Sequence, residues 1–413
     1  MRKLALSGLV AVAAVLGSAI PAAASTAGTP AAAAAAAVTR PAVAATAAIA
    51  GPGGRISCAS PTACLAVGSD INSAGNSTPI AETLHGTTWK SVAVKSPAGS
   101  VSTELTGVSC KAANYCLVDG DYTNKAGVDL PYVLTWNGST LTAIVKAPLP
   151  AGDELTTIGG VSCVAVKSCV VFGSAASSTT LNGAVQLAWT WNGSAWGRKT
   201  TGGGSATDEF TAARCFTLTS CLEAGIDTNA SGTETELLAT WNGNSFTTQP
   251  VPAPGKASVL FPADLSCSSS KNCAVVGFGF NLSASSTSVP SIFGFLQVWN
   301  GSAWKVAQWA GPKGANFALL LGVSCTSASN CVAVGASGTN NSGAAASFTW
   351  NGTHWSPVGV PGVGKGLTTE FSSLSCPSAG TCVAIGAYGL PTAMNGTPLA
   401  GYLHAGSWRL QHA

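Results

Sequence analysis

Residues 323 to 335 read VSCTSASNCVAVG, and residues 348 to 355 read FTWNGTHW. In the first stretch, two cysteines bracket a short polar segment, and an apolar run ending in Gly335 follows the second cysteine. The second stretch ends an apolar segment with Asn-Gly, a pair that supplies the positive backbone dihedrals of a tight hairpin turn. Together the two stretches predict four short antiparallel strands separated by polar turns.

This unit recurs along the whole chain after residue 55. All 14 cysteines fall into pairs with five intervening residues, and successive pairs begin 51 to 58 residues apart. That period is typical of propeller blades. We therefore predict an all-β fold, a seven-bladed β-propeller with four antiparallel strands per blade over residues 55–413. The pairs are Cys58 with Cys64, Cys110 with Cys116, Cys163 with Cys169, Cys215 with Cys221, Cys267 with Cys273, Cys325 with Cys331, and Cys376 with Cys382.

Each cysteine pair is expected to form one hairpin disulfide. A tight hairpin brings the two cysteines onto neighbouring antiparallel strands, at a separation that suits a disulfide. Zinc is the alternative, but a zinc site needs a second pair converging on the same ion, and blade geometry holds the pairs apart. Seven disulfides also agree with export to an oxidising compartment.

The N-terminus has the pattern of an export signal. Arg2 and Lys3 precede an apolar run, and small residues follow at Ala22 to Ala24, so residues 1–24 are predicted to be a cleaved signal peptide. An uncleaved membrane anchor is the alternative. Residues 25–54 are Ala- and Pro-rich and are predicted to be a linker. We expect a secreted, extracellular monomer without membrane contact after cleavage.

The composition excludes several classes of protein. Only 8% of the 413 residues are charged, and 19 basic against 16 acidic residues give a net charge of +3. No run of Lys or Arg could follow a phosphate backbone, so no nucleic acid is expected as a partner. Hydrophobic residues make up 46% of the chain, which is enough to build a core and excludes a disordered protein beyond the N-terminal segment.

The repeat as a whole resembles the Asp-box (BNR) repeats of sialidase-like and sortilin-like propellers, in a Cys-paired form found in secreted bacterial proteins. Trp191-Asn192-Gly193-Ser194-Ala195-Trp196 keeps the Gly-to-Trp spacing of the Asp box but has Trp in place of its Asp. The resemblance implies a propeller fold. Sialidases bind their substrate with three arginines, and none of Arg55, Arg198, Arg214 and Arg409 lies in a matching motif. No catalytic residue is therefore carried over.

Four acidic residues and two phenylalanines are the candidate binding residues. Glutamates 104, 209 and 370 each lie six residues before the first cysteine of a pair, and Glu154 is displaced from that position by three residues. Acids so placed could ring the channel mouth and hold a cation or a sugar hydroxyl. Alternatively, each of these glutamates forms hydrogen bonds with the local backbone. The phenylalanines flank a long segment of the fifth repeat and either line a pocket or continue a strand. The candidates are Glu104, Glu154, Glu209, Glu370, Phe278 and Phe280.

The sequence contains no combination of nucleophile and base and no metal-binding cluster. We therefore expect binding rather than catalysis, with a polysaccharide or a surface protein as the partner. No cofactor is expected, and a calcium ion at the channel mouth stays an open alternative. One alternative is an exported glycosidase or lyase that uses paired top-face carboxylates. Acids predicted in loops of the second and fourth repeats are weak calcium candidates; they are Asp119, Asp121, Asp129, Asp227, Glu234 and Glu236. A structural surface scaffold is the other alternative.

Overall fold

Antiparallel β-strands form all of the regular secondary structure in the part of the chain that the structure describes, and no helix occurs there. The computed structural model describes residues 54–143, 147–150, 153–177, 185–202, 207–228, 234–252, 259–280, 292–339, 342–390 and 396–412. The predicted signal peptide, nearly all of the predicted linker and the long segment 281–291 of the fifth repeat lie outside these residues. Within them, no helix is both long and apolar enough to span a membrane.

We number the repeats 1 to 7 by their cysteine pairs. Repeats 1 to 3 contain β1 (Arg55–Ser60), β2 (Ala63–Ile71), β3 (Ser77–His85) and β4 (Thr88–Val92); β5 (Ser100–Ala112), β6 (Tyr115–Asn124), β7 (Asp129–Pro131), β8 (Leu134–Trp136) and β9 (Leu141–Ala143); and β10 (Asp153–Ala165), β11 (Ser168–Ser177), β12 (Val185–Trp191) and β13 (Trp196–Gly202).

Repeats 4 to 7 continue the same pattern. They contain β14 (Thr207–Thr217), β15 (Ser220–Thr228), β16 (Glu234–Trp241) and β17 (Phe246–Thr248); β18 (Val259–Ser269), β19 (Asn272–Phe280), β20 (Ile292–Trp299) and β21 (Trp304–Trp309); β22 (Phe317–Ser327), β23 (Asn330–Thr339), β24 (Ser342–Trp350) and β25 (Trp355–Pro357); and β26 (Thr368–Ser378), β27 (Thr381–Gly389), β28 (Thr397–His404) and β29 (Ser407–His412).

The strands of a repeat follow one another in the order of the chain. Repeats 1, 3, 4 and 7 are separate four-stranded antiparallel sheets, and repeat 2 has the additional short strand β7 beside β6. Repeats 5 and 6 are joined by a single parallel pairing of Ile292 with Phe317. Among the described residues, the first and last sheets are each built from consecutive strands.

The predicted disulfides are confirmed. All seven cysteine pairs are bonded, each between the first and second strand of its repeat, with Cα atoms 3.9 to 4.0 Å apart. The zinc alternative is wrong because every cysteine is consumed by its own hairpin. The bonds join Cys58 with Cys64, Cys110 with Cys116, Cys163 with Cys169, Cys215 with Cys221, Cys267 with Cys273, Cys325 with Cys331, and Cys376 with Cys382.

The Asn-Gly turns between the third and fourth strands have a local cause. In repeat 3, the side-chain oxygen of Asn192 accepts hydrogen bonds from the backbone amides of Ser194 and Ala195, at 3.0 and 2.8 Å. Gly193 has a φ of 93°, a conformation that a residue with a side chain rarely adopts. The asparagine therefore closes the turn and the glycine makes its backbone path possible.

The first strands of successive repeats contact one another, and β1 contacts both β5 and β26, so the repeats close into a propeller-like ring. A serine that precedes the first cysteine of one repeat accepts a hydrogen bond from the backbone amide of the first cysteine of the next repeat. This bond occurs at six of the seven joints, with distances of 2.9 to 3.0 Å; the donors are the amides of Cys58, Cys110, Cys163, Cys215, Cys325 and Cys376.

These bonds supply acceptors to backbone amides at the centre of the propeller-like ring. The first strand is the inner edge of its sheet, so half of its amides have no partner within the sheet. A buried amide without a partner would destabilise the fold, and the serine hydroxyl of the neighbouring repeat supplies the acceptor. The seventh joint has Arg214 where the others have serine.

The core lies between neighbouring sheets. One cluster combines Tyr115 and Leu117 of repeat 2 with Val171, Trp189 and Trp191 of repeat 3, and equivalent clusters join the other repeats. Trp191, at the turn of repeat 3, thus packs against the preceding repeat.

Candidate functional site

Three of the four predicted acids occupy equivalent positions on first strands. Glu104 pairs with Asp121, Glu209 with Ile226, and Glu370 with Ala387 on the adjacent second strand. Glu154 pairs with Ala176 in β10, and its side chain lies outside the described part of the molecule. The structure places these acids in different repeats and brings no two of the described side chains into contact.

The three described glutamates differ in their surroundings. Glu104 accepts a hydrogen bond from the Ser77 hydroxyl of repeat 1, at 2.5 Å. Burial raises the pKa of Glu370 above its ordinary value. Burial is also the main reason why the pKa of Glu209 is raised to about 7, and the nearby charge of Glu234 adds to this effect.

The two phenylalanines belong to an aromatic cluster between repeats 5 and 6. Phe278 is only 3% exposed and stacks on Phe261 with ring centroids 5.3 Å apart, while Phe280 meets both rings edge-on. Phe278 packs with Ile292 and Phe317 in the core, and Phe280 packs against this cluster. Continuation of the strand pattern accounts for both residues, and the lining of a pocket stays a prediction.

Glu209 belongs to a row of side chains across repeat 4. It pairs with Ile226, which in turn pairs with Glu236 on β16, so the two carboxyls flank Ile226 on one face of the sheet. Glu236 accepts a hydrogen bond from the Gln297 amide of repeat 5, at 2.8 Å. This face therefore lies against repeat 5. We use the name 4/5 groove for the set of side chains at this joint, which are Glu209, Ile226, Glu234, Glu236 and Gln297.

Two carboxyls of the 4/5 groove, those of Glu209 and Glu236, have raised pKa values. Burial raises the pKa of Glu236 to about 7, against the opposing effect of the Gln297 hydrogen bond. Glu209 and Glu236 thus each exist in both protonation states at pH 7. A carboxyl in that condition can donate as well as accept a hydrogen bond, which is the pattern of a sugar hydroxyl and the requirement for a general acid.

The acids predicted to lie in loops of repeats 2 and 4 lie on strands instead. Asp119 and Asp121 belong to β6, Asp129 to β7, Asp227 to β15, and Glu234 with Glu236 to β16. The strands extend further than the sequence suggests because cross-strand pairing continues through these polar residues. In the part of the chain that the structure describes, no group of three or more His, Cys, Asp or Glu side chains is arranged to hold a metal ion.

A second charged arrangement crosses the centre of the ring. The Arg55 guanidinium of repeat 1 donates to the backbone oxygens of Ala263 and Ser372, in repeats 5 and 7, at 3.2 and 3.5 Å. Both acceptors lie at β-bulges of their first strands, and such bulges turn backbone groups away from the ladder. Arg55 thereby links three repeats across the channel.

Two buried carboxyls lie within the field of Arg55. Asp264 accepts from the amides of Leu265 and Val323, each at 2.8 Å, and its pKa is raised to about 6 by burial, against the effects of Arg55 and these amides. Asp119 is fully buried, and neither of its side-chain oxygens has a hydrogen-bond partner in another described residue. Burial raises the pKa of Asp119 to about 7, against the attraction of Arg55.

Sequence reasoning missed Gln297, Asp264 and the role of Arg55. Gln297 continues an apolar strand, and Asp264 and Arg55 each lie three residues before a first cysteine, where other repeats have Gly107, Gly160 or Gly322. A charged residue at a position that holds a small residue in other repeats was the sequence signal that could have identified Asp264 and Arg55.

No protein-family model and no curated protein matches the sequence. Solved structures do resemble the fold. The BP39L lectin from Burkholderia pseudomallei aligns with a TM-score of 0.51 and 12% identity, over 88% of this chain and 98% of that one. The β-propeller domain of the Trilobed protease from Pyrococcus furiosus aligns with a TM-score of 0.49 and 6% identity, over 84% and 93%. The six-bladed Aleuria aurantia lectin aligns with a TM-score of 0.44 and 10% identity, over 77% of this chain and 98% of that one. At such identities, the likeness to BP39L shows a common fold and nothing finer.

Proposed function

We propose that this protein is a secreted, seven-bladed β-propeller that binds glycans in the 4/5 groove without catalysing a reaction. Seven cysteine pairs, each on the first two strands of a repeat, support seven blades. The disulfides support an oxidising, extracellular location. BP39L, a lectin, shares the fold, so this architecture is compatible with a sugar site.

One observation carries the proposed binding role: two carboxyls of one sheet face, Glu209 and Glu236, have pKa values of about 7 and face the next repeat. Gln297 holds Glu236 by a hydrogen bond, and Glu209, Glu234 and Glu236 are each half-buried. A neutral carboxyl and an ionised one on the same sheet face offer both a donor and an acceptor to the hydroxyls of a glycan.

The test is a glycan array followed by titration of the best-binding glycan against the wild type, Glu209→Gln and Glu234→Gln. Asp70→Asn is the matched control, because Asp70 is an exposed acid of repeat 1. We expect the two groove variants to weaken binding at least tenfold and the control to bind like the wild type. Unchanged binding by both groove variants would overturn the proposed site.

A glycosidase is the second candidate, because Glu234 raises the pKa of Glu209 as a second carboxylate does in acid and base pairs. Release of reducing ends from the bound glycan separates the two functions. Turnover that Glu209→Gln abolishes while binding persists would favour the enzyme. If no glycan binds and none is cleaved, the scaffold alternative or a protein partner stands.

A further inference from the structure

Two carboxyls are buried at the joints of repeat 3 without a hydrogen-bond partner. Asp119, on β6 of repeat 2, and Glu223, on β15 of repeat 4, are both 0% exposed. None of their side-chain oxygens has a hydrogen-bond partner in another described residue. A buried polar group without a partner destabilises a fold, and a buried charge without a partner destabilises it far more. Burial therefore favours the neutral form of both carboxyls in the folded ring.

Asp119 lies at the joint between repeats 2 and 3. It follows Leu117 by two positions, and Leu117 packs in the cluster that joins these two repeats. Residues two positions apart on a strand share a face of the sheet. A Cβ atom at Gly107 would meet Oδ1 of Asp119 and also, at 3.1 Å, Cγ1 of Val161 on β10 of repeat 3. The carboxyl of Asp119 therefore faces repeat 3.

Glu223 faces the same repeat from the other side. Its register partners are Ala213 on β14 and Ala239 on β16. Both alanines pack with Val170 and Phe172 of repeat 3 in the cluster between repeats 3 and 4. Directly opposed residues of neighbouring strands share a sheet face, so the Glu223 side chain lies at this joint. Repeat 3 thus has one fully buried carboxyl against each of its two faces.

The repeat itself requires neither carboxyl. Asp119 lies three positions after the second cysteine of its pair, where repeats 1, 5 and 6 have valine. Glu223 lies two positions after the second cysteine, where repeats 1, 6 and 7 have alanine. Apolar side chains fill the same places elsewhere in the ring. An acid in such a place destabilises the joint once it ionises, because its charge is buried without a partner.

One charged group assists the ionisation of Asp119. The pKa of Asp119 is raised to about 7 by burial, against the attraction of Arg55 in the channel. Glu104 accepts from the Ser77 hydroxyl of repeat 1, and Lys111 is exposed. The other charged residues on β6 and on the strands that contact it are Asp121, Asp129, Asp153 and Glu154.

Glu223 has no such assistance. Burial alone raises the pKa of Glu223 well above its ordinary value. Across the joint, β11 and β12 of repeat 3 carry no charged residue, and Lys199 on the outer strand β13 is exposed. Arg214 pairs with Leu222, which packs on the opposite face of the sheet, towards repeat 5. The other charged residues on β14 to β16 and on β18, which contacts β15, are Asp208, Glu209, Asp227, Glu234, Glu236 and Asp264.

We propose that repeat 3 is a pH-sensitive element of the ring, which loosens from both neighbouring repeats when Asp119 and Glu223 ionise. At low pH, both joints are closed around neutral carboxyls. At higher pH, a carboxylate regains its hydration only if its joint opens, so ionisation and local opening are coupled. Because Arg55 favours the ionised form of Asp119 alone, the joint with repeat 2 loosens at a lower pH than the joint with repeat 4. This behaviour does not depend on glycan binding in the 4/5 groove.

The sign of the effect follows from the two pKa values. Both are raised above those of an unfolded chain, so the folded joints hold protons that an opened joint releases. The contribution of each neutral carboxyl to the stability of its joint is therefore complete below about pH 4 and is lost as the pH rises through the folded-state pKa.

The test is hydrogen–deuterium exchange of the disulfide-bonded protein between pH 5 and pH 9, corrected for the intrinsic exchange rate and followed by mass spectrometry. Protection of β11 and β12 in repeat 3 is compared with that of β23 and β24 in repeat 6. The variants are Asp119→Asn, Glu223→Gln and the two together. A second pair, Asp119→Val with Glu223→Ala, introduces the side chains that repeat 6 has at these positions. Asp70→Asn, at an exposed acid of repeat 1, is the control.

We expect the opening of repeat 3 to increase at least tenfold more than that of repeat 6 between pH 5 and pH 9, in the wild type and in Asp70→Asn. Asp119→Asn should remove the part of this increase at lower pH, and Glu223→Gln the part at higher pH. Either double variant should abolish the difference between the two repeats, and the apolar pair decides the matter if the amide pair does not fold. The proposal is overturned if the two repeats open equally in the wild type, or if the double variants keep the difference.

Discussion

The backbone amide of Cys58 donates a hydrogen bond to the hydroxyl of Ser375, 3.0 Å away and 317 positions later in the chain. It is the same bond that joins Cys110 to Ser57 and Cys163 to Ser109 between consecutive repeats. The contact between the two ends of the propeller is thus chemically the same as an internal one. Trp89 adds a bond of 2.8 Å from its indole nitrogen to the Tyr402 hydroxyl across the same joint.

Removal of one such acceptor should destabilise the ring. Ser375→Ala leaves the Cys58 amide without its acceptor, and we expect a loss of about 1 to 3 kcal/mol in the free energy of unfolding. Denaturant titration under oxidising conditions measures the loss. Ser96→Ala is the control, since Ser96 is exposed and should change stability by less than about 0.5 kcal/mol. Equal stability of the two variants would show that this bond contributes nothing.

Asp119 should make stability depend on pH. Its pKa is raised from 3.8 to about 7, so the folded protein keeps a proton there that the unfolded chain releases. Its stabilising contribution is therefore complete below about pH 4 and is lost as the pH rises to about 7. Asp119→Asn cannot ionise. We expect it to match the wild type near pH 4 and to be more stable by up to about 4 kcal/mol at pH 8, as measured by urea unfolding. A constant difference across this range would contradict the assignment.

Gly107 is required because of the same carboxyl. A Cβ atom at Gly107 would lie 2.1 Å from Oδ1 of Asp119, closer than real contacts allow. We expect Gly107→Ala to lower the melting temperature by several degrees and Gly107→Ala with Asp119→Ala to recover part of that loss, because the second change removes the clashing atom. Strictly additive effects in thermal unfolding would be evidence against the clash.

Glu234 should tune the acidity of Glu209. Burial and the Glu234 charge both raise the pKa of Glu209, so Glu234→Gln removes the second cause and leaves the first. We expect the pKa of Glu209 to fall below about 7 while staying above its ordinary value. Carboxyl carbon chemical shifts across a pH series report it directly. Asp70→Asn should not move the titration, and a Glu209 pKa unaffected by Glu234→Gln would mean that the two carboxyls do not interact.

Each disulfide closes a small hairpin and should contribute about 2 kcal/mol by the chain-entropy account. Cys163 and Cys169 are both fully buried, so their replacement by alanine also removes packing. We expect Cys163→Ala with Cys169→Ala to be less stable than Cys58→Ala with Cys64→Ala, because Cys58 is only half-buried. Thermal unfolding without reductant compares the two, and the reverse order would show that packing does not govern the difference.

Local chemistry explains what could be predicted from the sequence. The five residues between paired cysteines and the Asn-Gly turns act within one hairpin, so the strands and disulfides follow from short stretches. The bond of Gln297 to Glu236 joins residues 61 positions apart and depends on how two sheets meet. Neither the 4/5 groove nor the path of Arg55 across the channel could therefore be derived from periodicity. The sequence has Arg214 where the other six repeats have serine before the first cysteine, but the bonds that these serines accept are seen only in three dimensions.

The serine-to-amide joint also bears on how such a chain could change during evolution. Because six joints use one donor and one acceptor in the same places, duplication or deletion of a whole repeat would still bring matching partners together at the new boundary. The ring would have to adjust its radius but would need no new chemistry. Arg214 ends that interchangeability, because it gives an otherwise repetitive ring one joint without the serine acceptor.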